Sequence, residues 1–315
     1  MKKLRTAVLG VGYLGRFHAQ KYAAHPGSEL VAVVDADTQR AGEVAAELDC
    51  EALNDPSELI GRVDAVSIVT PTRLHHAMAM PLLEAGIHLL VEKPMTTTLA
   101  EADALIDTAQ QNGCVLQVGH LERFNPAMVA AAEQVAQPLF IESHRIAPFN
   151  PRGADVSVVL DLMIHDIDLI LELVDSPVEK MDASGAAVIS SDIDIANARL
   201  RFANGCVANV TASRVSPKAE RRMRIFQHNT YLALDLQNGI LDIQRREAEA
   251  NALPSMDQIQ HERREAGKND ALADEIDAFL NAIQQATPPL VSGTDGRRAL
   301  AAAIEIGHQL NRNTP

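Results

Sequence analysis

The chain has 315 residues, of which 47% are hydrophobic and 22% are charged, a composition typical of folded globular proteins and unlike that of disordered chains. Its length predicts two domains. Its formal net charge of −14 disfavours binding to the phosphates of nucleic acids or to anionic lipid surfaces, so we expect neither nucleic acid nor membrane as a partner.

The apolar runs and the cysteines narrow the class of protein further. Runs such as ELVAVVD and HLLVE are far shorter than the roughly 20 residues of a membrane-spanning helix. A predicted strand begins almost at once, which leaves no room for a signal sequence and predicts a cytoplasmic location. Cys50, Cys114 and Cys206 lie far apart without zinc or disulfide spacing, so we interpret them as free thiols and predict no metal site.

From residue 4 to about residue 119, short apolar runs alternate with segments of helical periodicity. The predicted strands are RTAVLG, ELVAVVD, VDAVSIVTP, IHLLVEKP and CVLQVGH. This alternation is typical of α/β proteins and predicts a doubly wound, parallel Rossmann sheet with helices on both faces. Gly86 and Gly113 follow predicted helices, where a left-handed cap belongs. We therefore predict a dinucleotide-binding domain over residues 1–119.

The pattern changes after RFNP and predicts a second domain over residues 120–315. A predicted helix, roughly ADVSVVLDLMIHDIDLILELV, precedes alternating strands joined at Asn204-Gly205 and Asn238-Gly239, which are hairpin signals. We expect an α+β domain for substrate binding and oligomerisation, with a large, open, mostly antiparallel sheet. Residues 247–269 are predicted to form a loop. Thr294 or Asp295 is expected to cap the C-terminal helix. One interpretation of this helix is that it packs back on the first domain.

The first candidate site is the glycine turn between the first predicted strand and helix. Gly10, Gly12 and Gly15 form a GxGxxG motif, and Tyr13 and Leu14 lie inside it. Glycines at these positions let the backbone turn tightly and approach a pyrophosphate at the positive end of the helix. Such a turn needs glycine with or without a ligand, so the motif alone is weak support for a binding site.

Asp35 strengthens the interpretation of the glycine turn. It ends the second predicted strand, twenty residues after Gly15, where a carboxylate would accept hydrogen bonds from the ribose hydroxyls of a dinucleotide. Its charge would also repel a 2′-phosphate, which favours NAD over NADP. Arg40 follows five residues later and leaves NADP as the alternative. We therefore predict NAD as the cofactor.

Two further motifs supply groups for proton chemistry. Lys93 lies in VEKPM at the carboxyl edge of a predicted parallel strand, where such sheets bind ligands. Asp161 and His165 are four residues apart, which places them on one helix face, where the carboxylate can orient the imidazole. The alternatives are a surface lysine and a structural histidine. Asp166 and Asp168 either raise the basicity of His165 or face solvent.

Five motifs in order, namely the glycine turn, TPTRLHH, VEKP, VGHLERFNP and the DxxxH of LDLMIH, resemble the Gfo/Idh/MocA family of NAD(P)-dependent oxidoreductases. Its members oxidise or reduce a carbinol carbon, commonly on a sugar, an inositol or a sugar nucleotide. The resemblance implies that Lys93, Asp161 and His165 form the catalytic group. It also implies that the cofactor cleft is lined by Glu92, Thr70, Pro71 and His75.

The stretches GHLERFNP and DLMIHDIDLIL are most similar to the branch of that family that oxidises the 3-hydroxyl of UDP-N-acetylglucosamine. Many relatives carry asparagine where this chain has Thr72, and His120 is a second departure. A UDP-sugar needs cations for its diphosphate. The candidate substrate-binding residues are His120, Arg123, Asn125, Arg145, Arg152 and His165.

Together these features predict an NAD-dependent oxidoreductase that acts on a sugar or sugar nucleotide as a homodimer or homotetramer. His165 is the expected general base, Asp161 orients it, and Lys93 stabilises the developing alkoxide. The alternatives are a reductase or dehydrogenase of another small molecule, such as an inositol, a dihydrodiol or a tetrapyrrole, and a dinucleotide-sensing protein without catalysis.

Overall fold

The computed structural model describes residues 3–149, 157–247, 258–265, 267 and 269–313. The chain forms two compact units. The first comprises Met1–Leu121 and Asp270–Leu300, and the second comprises Glu122–Asn269 and Ala301–Pro315. The sequence predicts a single boundary near residue 119. In the structure the chain also returns to the first unit near residue 270 and enters the second unit again near residue 300.

The first unit contains a parallel sheet of six strands in the order β3-β2-β1-β4-β5-β6. Its strands are Leu4–Leu9 (β1), Ser28–Val34 (β2), Glu51–Leu53 (β3), Ala65–Ile68 (β4), His88–Glu92 (β5) and Leu116–Gly119 (β6). The helices that follow strands are Tyr13–Ala24 (α1), Thr38–Leu48 (α2), His75–Glu84 (α3) and Leu99–Gln111 (α4). The predicted Rossmann sheet is confirmed. The strand order reverses between β1 and β4, which is where doubly wound sheets bind ligands.

Turn residues end the elements of this unit as the sequence predicts. Gly86 and Gly113 have φ angles of +78° and +64°, and each follows the last turn of its helix in a left-handed conformation that favours glycine. Thr98 begins α4 with a capping box, because it accepts the N–H of Glu101 while the Glu101 carboxylate accepts the N–H of Thr98.

The second unit contains a sheet of eight strands in the order β14-β13-β12-β11-β7-β10-β9-β8. Its strands are Pro138–Ile146 (β7), Val178–Ala186 (β8), Ile195–Phe202 (β9), Val207–Ser213 (β10), Glu220–Gln227 (β11), Thr230–Asp235 (β12), Ile240–Arg246 (β13) and Ile259–Glu265 (β14). Neighbouring strands pair antiparallel except β7 with β10. The predicted mostly antiparallel sheet is confirmed.

Helices and turns complete the second unit. The short helix Pro126–Ala132 (α5) precedes β7, and Ile164–Val174 (α6) packs against β7 and β10. Gly205 and Gly239, at φ of +88° and +68°, close the predicted hairpins between β9 and β10 and between β12 and β13. The loop predicted over residues 247–269 is wrong at Ile259–Glu265, which forms β14, and residues 248–257, 266 and 268 lie outside the described residues.

Two helices follow the second sheet, Ala271–Gln285 (α7) and Gly293–Asn313 (α8). Helix α7 buries Leu272, Ile276, Phe279 and Leu280, spaced at helical intervals, against the core beside α1. The predicted cap of α8 needs correction. Ser292 precedes the helix and its hydroxyl accepts the N–H of Asp295 at 3.3 Å, while Asp295 Oδ2 accepts the N–H of Ser292 at 2.8 Å.

None of the helices in the described part of the chain is long and apolar enough to cross a bilayer.

Candidate active site

The turn after β1 holds two glycines that the fold itself requires. Gly10 has a φ of +88°, and its N–H donates to the carbonyl of Val34 at 2.7 Å. A Cβ added at Gly15 would lie 1.8 Å from the carbonyl oxygen of Gly10, so only glycine lets α1 begin this close to β1. These two glycines would fit any tight strand-to-helix turn, with or without a ligand.

Gly12 differs from Gly10 and Gly15, and its surroundings point to a ligand. A Cβ added at Gly12 would meet nothing within 4 Å, so the packing of the protein does not require glycine there. Gly12 is also the N-cap of α1 and gives its first turn no side-chain cap. Open space above an uncapped helix N-terminus suits a pyrophosphate, because the amides and the helix dipole there attract anions. The turn therefore fits a dinucleotide.

The carboxylate of Asp35 joins this turn to α2. It accepts the N–H of Val11 at 2.9 Å through Oδ2 and the N–H of Asp37 at 2.9 Å through Oδ1. The guanidinium of Arg40 lies 3.5 Å from Oδ2, and its side chain is 47% exposed. Asp35 therefore holds the glycine turn in place, and Arg40 provides a cation next to it.

A cavity of about 460 Å³ opens beside the glycine turn within the first unit. Its walls include Gly10, Gly12, Asp35, Thr70 and Pro71. The hydroxyl of Thr70 is buried and has no hydrogen-bond partner among the described residues. A buried hydroxyl without a partner costs free energy, and a polar ligand that reached this hydroxyl would remove that cost. Tyr13 and Leu14, by contrast, are 87% and 38% exposed at the start of α1.

His75 is a buried bridge between two loops of the predicted cleft. Its Nε2 lies 2.8 Å from the carbonyl oxygen of Thr70, and its Nδ1 lies 3.1 Å from that of Pro94. Burial lowers the pKa of His75, while the two backbone carbonyls oppose this shift. His75 thus positions the Thr70-Pro71 and Lys93-Pro94 segments relative to each other.

Lys93 is half-buried at the carboxyl end of β5, directly before Pro94. The preceding Glu92 carboxylate accepts the N–H of Lys93 at 3.3 Å and lies 3.2 Å from Nε2 of His18. A Cβ at Gly119, the neighbouring residue on β6, would come within 2.9 Å of that carboxylate, so glycine there leaves room for it. The VEKP turn is therefore fixed by contacts that its sequence spacing does not show.

Asp161 and His165 lie in the second unit, and both are half-buried. Asp161 lies in a π-helical turn, Val159–Met163, which precedes α6, while His165 lies in the first turn of α6. The helical pitch therefore changes between the two residues, whereas their spacing predicts one regular helix. Single π-helical turns are frequent at functional sites. The remaining predicted catalytic residue, Lys93, belongs to the first unit.

The acidic residues after His165 do not face solvent. Asp166 is 0% exposed and accepts the Ser143 hydroxyl at 2.6 Å and Nε of Arg145 at 2.5 Å. Asp168 is 2% exposed and accepts both Nε and an Nη of Arg123, at 2.6 and 3.1 Å. Both charges are balanced by buried arginines.

Those two arginines are predicted to bind a substrate diphosphate, which stays a prediction, and the structure pairs both of them with carboxylates of the second unit. Arg145 also donates to Glu122 at 2.7 Å, and Arg123 lies 2.9 Å from Glu172. Burial acts to lower the pKa of Arg145, but the charges of Asp166 and Glu122 outweigh burial and raise it. With their guanidinium groups committed to carboxylates, both arginines stabilise the second unit.

The other predicted substrate residues have diverse positions. Asn125 caps α5 through Oδ1, which accepts the N–H of Ala127 at 3.1 Å, and its amide donates to the carbonyl of Leu236 at 2.8 Å and to Glu122. Its polar atoms are thus used in structural contacts. His120 is 1% exposed and follows the last residue of β6. Arg152 lies outside the described residues.

Sequence reasoning missed three buried polar residues beside the predicted ones. Glu122 accepts hydrogen bonds from Arg145 and Asn125, His18 contacts Glu92, and Glu275 lies within the core of the first unit. The only sequence signal for Glu275 is a carboxylate among the apolar positions of α7.

A parallel sheet with a dinucleotide-fitting turn at its switch point, followed by a mostly antiparallel sheet, defines a class of nucleotide-dependent enzymes. The family model "Oxidoreductase family, NAD-binding Rossmann fold" matches residues 4–120, and "GFO/IDH/MocA C-terminal domain" matches residues 140–231. The chain belongs to the Gfo/Idh/MocA family of oxidoreductases.

Named relatives agree with this assignment. The chain is 46% identical over 307 residues, 97% of both chains, to a UDP-N-acetylglucosamine 3-dehydrogenase of Acidithiobacillus ferrooxidans. A solved structure of that dehydrogenase matches with a TM-score of 0.92 and 44% identity, covering 99% of both chains. A scyllo-inositol 2-dehydrogenase (NAD(+)) of Bacillus subtilis is 32% identical over 234 residues, 68% of both chains.

Proposed function

We propose that the protein is an NAD-dependent dehydrogenase that oxidises the 3-hydroxyl of UDP-N-acetylglucosamine to a ketone. The observation that carries this proposal is the 46% identity to a UDP-N-acetylglucosamine 3-dehydrogenase over 97% of both chains. The turn at Gly12 and the unpartnered Thr70 hydroxyl support a dinucleotide on the first unit.

In the proposed reaction His165 removes the proton of the hydroxyl group as a general base. Asp161 orients the imidazole and stabilises its charged form, and the ammonium of Lys93 stabilises the negative charge that develops on oxygen. When bound, the nicotinamide supplies the acceptor for the hydride that leaves the carbon. The protein itself thus contributes the base, its orientation and the charge stabilisation.

Three other properties stay predictions. The assignment of residues 1–119 to dinucleotide binding and of residues 120–315 to substrate binding and oligomerisation is one of them. A homodimer or homotetramer is the second, supported by the outer face of the second sheet, where Phe140, Phe226 and Tyr231 form an aromatic cluster with ring centroids 5.9 and 5.0 Å apart. The cytoplasmic location is the third.

The substrate proposal is tested with the purified protein and NAD on a panel of carbinols. We expect UDP-N-acetylglucosamine to give a higher kcat/KM than UDP-glucose, N-acetylglucosamine or scyllo-inositol, measured as the appearance of reduced nicotinamide. Faster turnover of scyllo-inositol would favour an inositol dehydrogenase, the second candidate, which the 32% identity to a scyllo-inositol 2-dehydrogenase supports. Tight NAD binding without turnover of any compound would favour a dinucleotide sensor.

Cofactor choice is expected to depend on the charge of Asp35. Asp35→Asn keeps an acceptor for the N–H of Val11 or Asp37 but removes the charge that repels a 2′-phosphate, while Arg40 remains beside it. The ratio of the Kd for NADP to the Kd for NAD should fall by about tenfold, equivalent to about 1.4 kcal/mol. Fluorescence titration with both cofactors measures this ratio.

Asp37→Asn is the matched control for that measurement. Asp37 also lies near Arg40, with 3.1 Å between Oδ2 and Nη2, and its side chain caps α2 by accepting the N–H of Arg40. Asparagine caps helices about as well as aspartate, so this variant changes one surface charge without disturbing the turn. An equal change of the ratio in both variants would show that Asp35 has no special position relative to the cofactor.

A further inference from the structure

Three titratable side chains from separate elements meet in the core of the first unit. His18 comes from α1, Glu92 from the end of β5 and Glu275 from α7, and one nitrogen or oxygen of each lies within 4.8 Å of the others. His18 and Glu275 are 0% exposed, and the Glu92 side chain is 12% exposed. We refer to these three residues as the cluster.

Glu275, like His18, is fully buried. It lies on the side of α7 that packs into the core, and its backbone carbonyl accepts the side-chain amide of Gln117 at 3.0 Å. Neither of its carboxylate oxygens has a hydrogen-bond partner among the described residues. An ionised carboxylate without hydrogen bonds is very costly in such a place, so the group must be neutral or balanced by a nearby cation.

In the described part of the chain, the side chains that α1 and β6 place near Glu275 do not supply that cation. On α1 the Tyr22 hydroxyl is hydrogen-bonded to Ser67 at 2.7 Å, and burial raises its pKa above the ordinary value for tyrosine, so it is neutral. Lys21 is paired with Asp270 near the surface. On β6 the side chain of Gln117 is neutral.

Within the cluster itself, the imidazole of His18 is the one basic group beside two carboxylates. His18 lies 3.2 Å from Glu92, so even a protonated imidazole would balance only one of them. Two carboxylates this close in a buried site cannot both be ionised. Burial and the nearby charge of Glu92 raise the pKa of Glu275 well above its ordinary value, in agreement with this geometry.

We infer that Glu275 holds a proton at neutral pH and is a positioning residue that keeps the carboxylate of Glu92, and through it the backbone of Lys93, in place. Glu92 contacts His18 through Oε1 and accepts the N–H of Lys93 through Oε2, in a space that Gly119 leaves open. A second negative charge beside Glu92 would repel its carboxylate from this space. The link to catalysis through Lys93 rests on the proposed function, whereas the protonation of Glu275 does not.

The proton on Glu275 is tested by unfolding, which requires no substrate. Above a carboxyl pKa of about 4.5 the unfolded chain loses this proton while the folded chain keeps it, so rising pH destabilises the wild type relative to Glu275→Gln. The ratio of the two folding constants should change by about tenfold per pH unit between about pH 5 and the pKa of Glu275 in the folded protein. Urea denaturation at a series of pH values measures it.

Two further variants make the result decisive. Glu275→Leu also cannot ionise and should show the same pH dependence relative to the wild type. This variant replaces Glu275→Gln in the measurement if Glu275→Gln fails to fold. Asp277→Asn removes an exposed carboxylate from the same helix and should give a much weaker pH dependence. A pH-independent difference between the wild type and both Glu275 variants would overturn the inference, as would a stoichiometric divalent cation whose removal by EDTA destabilises only the wild type.

The positioning role has its own readout in the pH profile of kcat. Ionisation of Glu275 at high pH should disturb the Lys93 turn in the wild type but not in Glu275→Gln, so the alkaline fall of kcat should begin at higher pH in the variant. Superimposed profiles would overturn the positioning role. If the wild type turns over none of the tested carbinols, the proposed function fails while the unfolding measurements still decide the protonation of Glu275.

Discussion

Replacement of His165 by alanine is expected to lower kcat for the carbinol substrate by about 10²–10⁴-fold, the usual contribution of a positioned general base. The Kd for NAD should change little, because the glycine turn, Asp35 and Thr70 belong to the first unit while His165 belongs to the second. Steady-state kinetics with a titration of NAD measures both quantities.

His308→Ala is the matched control for this variant. His308 lies on an exposed position of α8 and should affect neither kcat nor NAD binding. Thermal unfolding of both variants separates a catalytic from a structural histidine. A His165→Ala protein that is destabilised but retains the kcat of the wild type would show that another group takes the proton, and His165 would then be a packing residue of α6.

Local chemistry explains why the Rossmann half could be predicted from the sequence. Its strands are buried apolar runs, and Gly86 and Gly113 end helices because they adopt positive φ angles at little cost. Two of the strands that escaped this reasoning show its limits. Glu51–Leu53 has only three residues, too few for a period to be visible, and Ile259–Glu265 is an edge strand whose side chains are almost all exposed and polar.

The electrostatics of the site could not be predicted in the same way. Sequence spacing shows which residues share a helix face, but it does not show which charges meet after folding. The sequence therefore makes Arg145 a candidate for the substrate diphosphate, and it does not show that Asp166 on α6 and Glu122 contact this arginine. His18 and Glu275 come from opposite ends of the chain, and only the packing of α7 beside α1 brings them together.

The second large expected effect is on the free energy of unfolding, and it arises from the ion pairs of Arg145. Arg145→Met should lower the free energy of unfolding by about 3–5 kcal/mol, because it leaves Asp166 buried without its guanidinium partner and leaves Glu122 with only the more exposed guanidinium of Arg221. Urea denaturation of the variant against the wild type measures the loss. Arg201→Met, at an exposed position on β9, is the matched control and should cost little.

The double variant Arg145→Met/Asp166→Asn distinguishes a stranded charge from lost packing. If the cost arises from the buried carboxylate, removal of its charge should recover part of the lost free energy, because the new amide oxygen would still accept the Ser143 hydroxyl that Asp166 accepts at 2.6 Å. If the cost arises from the missing arginine stem, the second substitution should add to the first. An Arg145→Met protein as stable as the wild type would instead show that Arg145 has no large structural role, which would favour its predicted role in binding the diphosphate.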